Sequence, residues 1–165
     1  MHFSKKVAKE IKHSKHIFLI SNGIGEIVAK EGALKIKELT YTHCQSLNMN
    51  NCSNHFFNYL KKHPQTPVIF IVLDDKHKET NIESMRKIAE KVKFLGVVIT
   101  DLKDKTSLNF FEHFSGGRVF QVPKSGYMSA LLCVMPLQRL AYDLTLELGY
   151  DPDRPRNLAK ELTTK

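Results

Sequence analysis

What this chain of 165 residues lacks excludes several classes at once. It has three cysteines, Cys44, Cys52 and Cys133, an odd and sparse set that makes no disulfide scaffold and favours a reducing compartment. It has no apolar run long enough to span a bilayer. The lysines near the start precede only Ile17 to Ile20, too short for a signal-peptide core and followed by no small-residue cleavage site. Neither a membrane association nor secretion is therefore expected, and a cytoplasmic location is the default. No internal repeat, low-complexity linker or composition break divides the sequence, so residues 1–165 read as one domain, long enough to bury a core unaided.

Charge is not lacking. The formal net charge is +8, with 42% hydrophobic and 25% charged residues, ordinary for a globular protein. A basic surface gains affinity for phosphate backbones by counterion release. Here, however, the lysines are scattered and interleaved with acids, without an aromatic RNA-binding motif or a helix-turn-helix pattern, so no nucleic-acid partner is expected. The positive field also suits an anionic sugar phosphate. His43, Cys44, Cys52 and His55 form the one cluster with metal-ligand chemistry, but only Cys52 and His55 show a paired spacing, and no metal is expected. Cys133 lies within an apolar run and reads as a core residue.

The periodicities alternate. Residues 2–13 form a basic amphipathic helix with Phe3, Val7 and Ile11 on one face. His16 to Ser21 is a strand, Asn22-Gly23-Ile24-Gly25 a turn, and a helix from about Glu26 is expected to run to about Ser46. The Gly-x-Gly pair allows close backbone approach of a ligand at a helix N-terminus, yet the third glycine of a dinucleotide fingerprint is missing, which argues against a nicotinamide cofactor. The polar stretch Asn48 to Asn54 breaks the pattern, and His55 to Lys62 is a short helix. Val68 to Leu73, apolar on both faces, reads as a central parallel strand. Helix 79–93, strand 96–100, a helical turn at 108–114, strand 118–122 and helix 127–148 complete the chain. Pro136 is expected to kink or split the last helix. The result is a three-layer α/β/α sandwich on a mostly parallel sheet, with four recognisable strands and room for a fifth. Ligands bind such sheets at the carboxyl ends of the strands, near a topological switch point.

Within the long helix, Glu31, Lys35 and Glu38 fall on one stripe. Such a stripe is either a surface ion-pair ladder or a proton-handling site. Ala29, Ala33 and Ile36 lie opposite it, while Ile27 and Leu34 border it on one side and Val28 and Leu39 on the other. Charges bordered by aliphatics suggest a partly buried cleft in which proton affinities are tuned. The tail from Gly149 to Lys160 carries two prolines and is expected to dock, so that Lys160 is either a surface amine or a cation delivered to a site.

Glu31-Gly32-Ala33-Leu34-Lys35-Ile36-Lys37-Glu38, Pro136-Leu137-Gln138 and Pro155-Arg156-Asn157-Leu158-Ala159-Lys160, in this order, resemble the second sugar-isomerase (SIS) domain of the glutamine–fructose-6-phosphate aminotransferases. The resemblance covers the chain from His16 onward. It implies a SIS-type, flavodoxin-like fold without a cofactor. It also implies amination and isomerisation of fructose 6-phosphate to glucosamine 6-phosphate, with ammonia from a separate glutaminase domain. Carried over by motif, Glu38 moves the proton between C1 and C2, Lys35 stands beside it, Glu31 positions the open-chain sugar, Lys160 engages the carbonyl, and Ala159 and Asn157 contact substrate. A carboxylate base with nearby positive charge suits an enolamine-forming proton shift, and a lysine can form a Schiff base with a ketose. The implied partners are a first SIS domain, the glutaminase domain and a second copy in a homodimer. Two features depart from the pattern. The ring-opening histidine of Gly-Glu-Leu-Lys-His-Gly falls on Asn54, leaving His55 one place late as its stand-in. The serine-rich phosphate loop of the first SIS domain has no counterpart. A non-catalytic phosphosugar-binding or regulatory module is the alternative reading.

Overall fold

The computed structural model describes residues 3–156. Five strands, β1 (His16–Ser21), β2 (His43–Asn48), β3 (Pro67–Val72), β4 (Leu95–Thr100) and β5 (Val119–Gln121), form one sheet in the order β2-β1-β3-β4-β5. Every pairing is parallel. Six α-helices cover it: α1 (Phe3–Ile11), α2 (Ile24–Thr40), α3 (Asn54–Lys62), α4 (Lys78–Lys91), α5 (Lys105–Ser115) and α6 (Met128–Glu147). Alternation along the strands divides the core. Ile17 and Leu19 of β1 pack with α1, α2 and α6, whereas Phe18 and Ile20 pack with α3, α4 and α5. The helices thus form one layer on each face, and β3, buried along its whole length, is the centre that its two-sided apolarity requires.

The strand that periodicity missed is β2. Helix α2 ends at Thr40, six residues before its expected end, because Tyr41 adopts a left-handed conformation (φ 58°) while its N–H caps the Lys37 carbonyl. The Thr40 hydroxyl accepts from Thr42 N at 3.2 Å and turns the chain into the sheet. Because β2 is an edge strand with little buried surface, its residues carry no strong apolar signal. Two smaller expectations also change. The turn at 108–114 is a full helix, α5, started by Asp104, whose carboxylate accepts from Ser107 N at 2.8 Å. Helix α6 runs unsplit through Pro136, held on either side of it by Cys133 and Leu137, both fully buried. Helix α1 lies against α6, where Ser4 Oγ donates to Asp143 at 2.5 Å and Phe3 meets Phe120 edge-on at 4.2 Å.

Gly32 fixes the position of α2. A Cβ there would stand 2.5 Å from Leu137 Cδ1 of α6 and 2.8 Å from Leu19 Cδ2 of β1. The glycine of the Glu31 to Glu38 motif therefore lets the helix settle onto both neighbours.

Candidate functional site

The acidic and basic stripe forms on α2 as its spacing requires. Lys35 Nζ lies 3.0 Å from Glu38 Oε2 and 3.7 Å from Glu31 Oε1, one cation shared by two carboxylates. The hydrogen bond to Glu38 raises the Lys35 pKa above its ordinary value, opposed by partial desolvation and assisted by the charges of Glu38 and Glu31. Ala29, Ala33 and Ile36 are buried on the opposite side, in agreement with the wheel.

The expected cleft is not found around the stripe. Ile27 is 67% exposed and Leu34 42%, and the side chains of Glu31, Lys35 and Glu38 retain 38%, 34% and 25% of their exposure. On one side the aliphatic border, Ile27 and Leu34, is itself on the surface, while on the other Val28 is buried and Leu39 partly buried against the core. A wheel gives the angle of a side chain about its helix but not what lies over it.

The principal cavity, about 690 Å³, lies elsewhere, at the carboxyl ends of β1, β3 and β4. It occupies the switch point where the strand order turns from β1 to β3. Gly23 and Ile24 line one side, the 73–77 loop and Asp101 the floor, and Gly126, Tyr127 and Ala130 the other side. None of Glu31, Lys35 and Glu38 lines it. Asp101, 2% exposed, accepts from Asp74 N at 2.8 Å, and Asp74 pairs with Lys124. The sequence held a signal for this place: Asn22 and Asp101 directly follow β1 and β4, and Asp74 is the second residue after β3. Gly23 and Gly25 open space for neighbouring side chains, since a Cβ would meet His77 Cδ2 at 2.4 Å or Ser21 Oγ at 2.2 Å. Gly23 also needs its positive φ of 65°.

The remaining candidates are spread out. His55 is exposed on the first turn of α3, in the layer across the sheet from α2, so the chain alone does not bring it to the stripe. Asn157, Ala159 and Lys160 lie outside the described residues. The last described residue, Arg156, reaches α2: its N–H donates to the Tyr41 hydroxyl at 2.6 Å, and its guanidinium lies 5.3 Å from the Tyr41 ring and 5.7 Å from that of Tyr150. Tyr41 is three residues beyond Glu38, so the described chain ends about one helical turn from the stripe.

Burial pushes the thiols of Cys44 and Cys133 up to about 12 and that of Cys52 to about 11, unsuited to act as thiolates. Among the described residues, no group of three His, Cys, Asp or Glu could hold a metal ion, and no helix is long and apolar enough to cross a membrane.

The strand order, the two helical layers and the cavity at the switch point define the class: a three-layer, flavodoxin-like α/β/α domain on an all-parallel sheet. The fold matches the C-terminal domain of glucosamine-fructose-6-phosphate aminotransferase from Francisella tularensis with a TM-score of 0.75 at 19% identity, over 92% of this chain and 41% of that one. No protein-family model matches the chain. Sequence kinship is closer. The glutamine–fructose-6-phosphate aminotransferase (isomerizing) of Fusobacterium nucleatum is 34% identical over 163 residues, 96% of this chain and 25% of that protein. That of Rattus norvegicus is 33% identical over 164 residues, 98% and 23% respectively. The chain is thus similar in sequence to one portion of the glutamine–fructose-6-phosphate aminotransferases and in fold to part of their C-terminal domain. It spans about a quarter of the length of these curated relatives.

Proposed function

We propose that this chain is the C-terminal isomerase subdomain of a glucosamine-6-phosphate synthase, acting in the cytoplasm on fructose 6-phosphate and ammonia. The observation that carries this reading is the shared cation of α2, Lys35 between Glu31 and Glu38. In it, Glu38 carries the proton between C1 and C2 of the open-chain sugar. Lys35, held as a cation, offsets the negative charge that develops on the neighbouring oxygen. Glu31 keeps Lys35 centred and orients the sugar. The sequence beyond Arg156 brings Lys160 to the carbonyl, with Asn157 and Ala159 against the substrate, and the contact of Arg156 with Tyr41 supports delivery to this end of α2. His55 serves ring opening across an interface. No cofactor is needed for the proton shift.

The stripe is open on the surface, so the reaction requires a covering surface with phosphate-binding groups. In the synthase, a first SIS domain supplies it and the glutaminase domain supplies ammonia. Glu38→Gln in the assembled synthase should abolish glucosamine 6-phosphate formation while leaving glutamine hydrolysis measurable. Unimpaired synthesis would refute the role of Glu38.

A second reading, a non-catalytic phosphosugar-binding or regulatory module, is favoured by one observation: the large cavity is separate from the stripe. Calorimetry of the chain with fructose 6-phosphate and glucosamine 6-phosphate distinguishes the two. Tight binding by the isolated chain supports the module, and binding only with a first SIS domain supports the isomerase.

A further inference from the structure

A second hollow, which the proposed function does not use, lies at the amino ends of the strands. This groove of about 490 Å³ is at the opposite end of the sheet from the large cavity and shares no residue with it or with the α2 stripe. His13, Ser14 and Lys15, between α1 and β1, line it on one side, and Tyr59, Lys62 and His63, at the end of α3, on the other. Because Ile11 of α1 packs in one helical layer and Leu60 of α3 in the other, the groove crosses the sheet edge between the two layers. Lys15, Lys62, His13 and His63 are all exposed. Among the described residues neither Lys15 nor Lys62 has an ion-pair partner. The one acid that lines the groove, Glu10, is held by Arg118 at 2.5 Å. Pro64 also borders a neighbouring hollow, which carries Lys61, Lys91 and Lys93 against one acid, Glu90. Helix ends oppose this gathering of charge, since α1, α3 and α4 finish here and each carbonyl terminus carries about half a negative charge. The lysines outweigh them. The surplus reaches His16, in edge contact with Tyr59 at 4.8 Å, whose pKa is lowered first by burial and then by the charges of His43, His63 and Lys15.

Cations that the chain does not pair with its own carboxylates suit an anion from outside it, and their placement sets its form. Lys15 and His13 line the groove from the α1 side and Lys62 and His63 from the α3 side, so one ligand satisfies both only with anionic groups spaced along it. Ser14, Gln65 and Tyr59 add neutral hydrogen-bond donors. The His63 ring lies 4.5 Å from that of Tyr59, which holds it in place. We propose that this groove binds an oligophosphate, a chain of two or more linked phosphates. Its oxygens accept from amines, imidazoles, hydroxyls and amides alike, and the charge-assisted bonds to lysine are the strong ones. Free polyphosphate and the phosphate chain of a nucleotide share this chemistry. Since none of Glu31, Lys35 and Glu38 lines the groove, the proposal goes beyond the isomerase reading and stands without it.

Calorimetric titration of the full chain with tripolyphosphate in about 0.05 M salt should show saturable binding that weakens about tenfold or more in about 0.5 M salt, as screened charge contacts do. Lys15→Gln and Lys62→Gln, at exposed positions, should each weaken it about fivefold, what one charge contact in water provides, without changing far-UV circular dichroism. Lys87→Gln removes the same charge from α4, where Lys87 pairs with Glu83, and should leave binding unchanged. In NMR spectra tripolyphosphate should shift the ring signals of His13 and His63 but not those of His77, which lines the large cavity. A nucleoside triphosphate that binds no more tightly than tripolyphosphate assigns recognition to the phosphate chain alone, and tighter binding assigns the groove to a nucleotide. Absence of binding in about 0.05 M salt overturns the proposal. So does a loss with Lys87→Gln equal to that with Lys15→Gln and Lys62→Gln, which leaves only diffuse surface charge. Tight binding of a single-stranded RNA that tripolyphosphate does not displace also overturns it and assigns the surface to nucleic acid. Glu38→Gln should leave tripolyphosphate binding unchanged, and failure to bind tripolyphosphate leaves the role of Glu38 untouched.

Discussion

Replacing Gly32 by alanine tests how the charged stripe is held in place, because two effects of known size oppose each other there. In an exposed helix interior, alanine in place of glycine stabilises by about 1 kcal/mol. At Gly32 the new methyl would lie 2.5 Å from Leu137 Cδ1, 3.2 Å from Leu137 Cβ and 2.8 Å from Leu19 Cδ2. Leu137 and Leu19 are both fully buried and cannot swing into solvent. An overpacked core of this kind costs about 1–3 kcal/mol. Packing should win, with a net loss of about 1 kcal/mol and a fall in melting temperature of about 2–4 °C. Urea unfolding followed by circular dichroism measures the loss directly. Leu137→Ala alone should cost about 2–5 kcal/mol through the cavity it leaves, and Gly32→Ala should cost less in that background than in the wild type, since the contact with Leu137 Cδ1 is gone while that with Leu19 Cδ2 remains. A Gly32→Ala protein more stable than the wild type in the Leu137 background would refute the claim that this glycine exists for close packing.

Other perturbations act at single groups. Asp104, at the N-terminus of α5, has its pKa lowered to about 2, chiefly by accepting from Ser107 N. A carboxylate so depressed contributes stability that is complete above the unfolded value of about 3.9 and is lost as pH falls toward 2. Asp104→Ala should cost about 1 kcal/mol at pH 7 and flatten the acid limb of an unfolding titration between those values. His16 has its pKa lowered, first by burial and then by the charges of His43, His63 and Lys15. Its neutral form is thus favoured in the fold, and stability should decline as pH falls below about 6.5. The His16 ring also shares an Nδ1 to Nδ1 hydrogen bond of 2.8 Å with His43, and His16→Phe should remove this dependence in thermal melts from pH 7 to 5. Lys35→Ala should cost less than about 1 kcal/mol, as partly exposed ion pairs do. Because the Lys35 pKa is raised, its contribution is present below the unfolded value and is lost as pH rises through the folded one, so wild type and variant should converge in stability in strongly alkaline buffer.

Strands buried on both faces and helices with a single apolar side were legible without coordinates, because their residue patterns record their surroundings. β3 and the inner side of α2, with Ala29, Ala33 and Ile36, are the clearest cases. β2 was not legible. An edge strand with solvent on one flank needs little apolar surface, and what ends α2 before it is the backbone conformation of Tyr41, which no side-chain pattern announces. The stripe of Glu31, Lys35 and Glu38 was legible as a stripe because three- and four-residue spacings are local. The cavity was not, since it joins the ends of three strands and the start of α6, pieces more than a hundred residues apart.

The aliphatic border of the stripe had two physical solutions, and they differ in what the sequence can know. A helix apolar on one side satisfies itself against its own sheet, whereas α2 buries Ala29, Ala33 and Ile36 inward and still presents Ile27 and Leu34 outward. A single sheet cannot cover both sides of a helix in the outer layer. The excess is a demand for a surface that the described chain does not contain, and α6 repeats it with Leu131 and Met135. Lys35 and its two carboxylates lie within that unmet surface. While it is open, water screens their attraction and the pair is worth little. Once a partner covers it, the same distances of 3.0 and 3.7 Å act in a medium of lower polarity, and charge that develops beside Glu38 is stabilised far more strongly. In the proposed isomerase reading, covering the apolar residues of α2 and strengthening the field of its charges are thus one event.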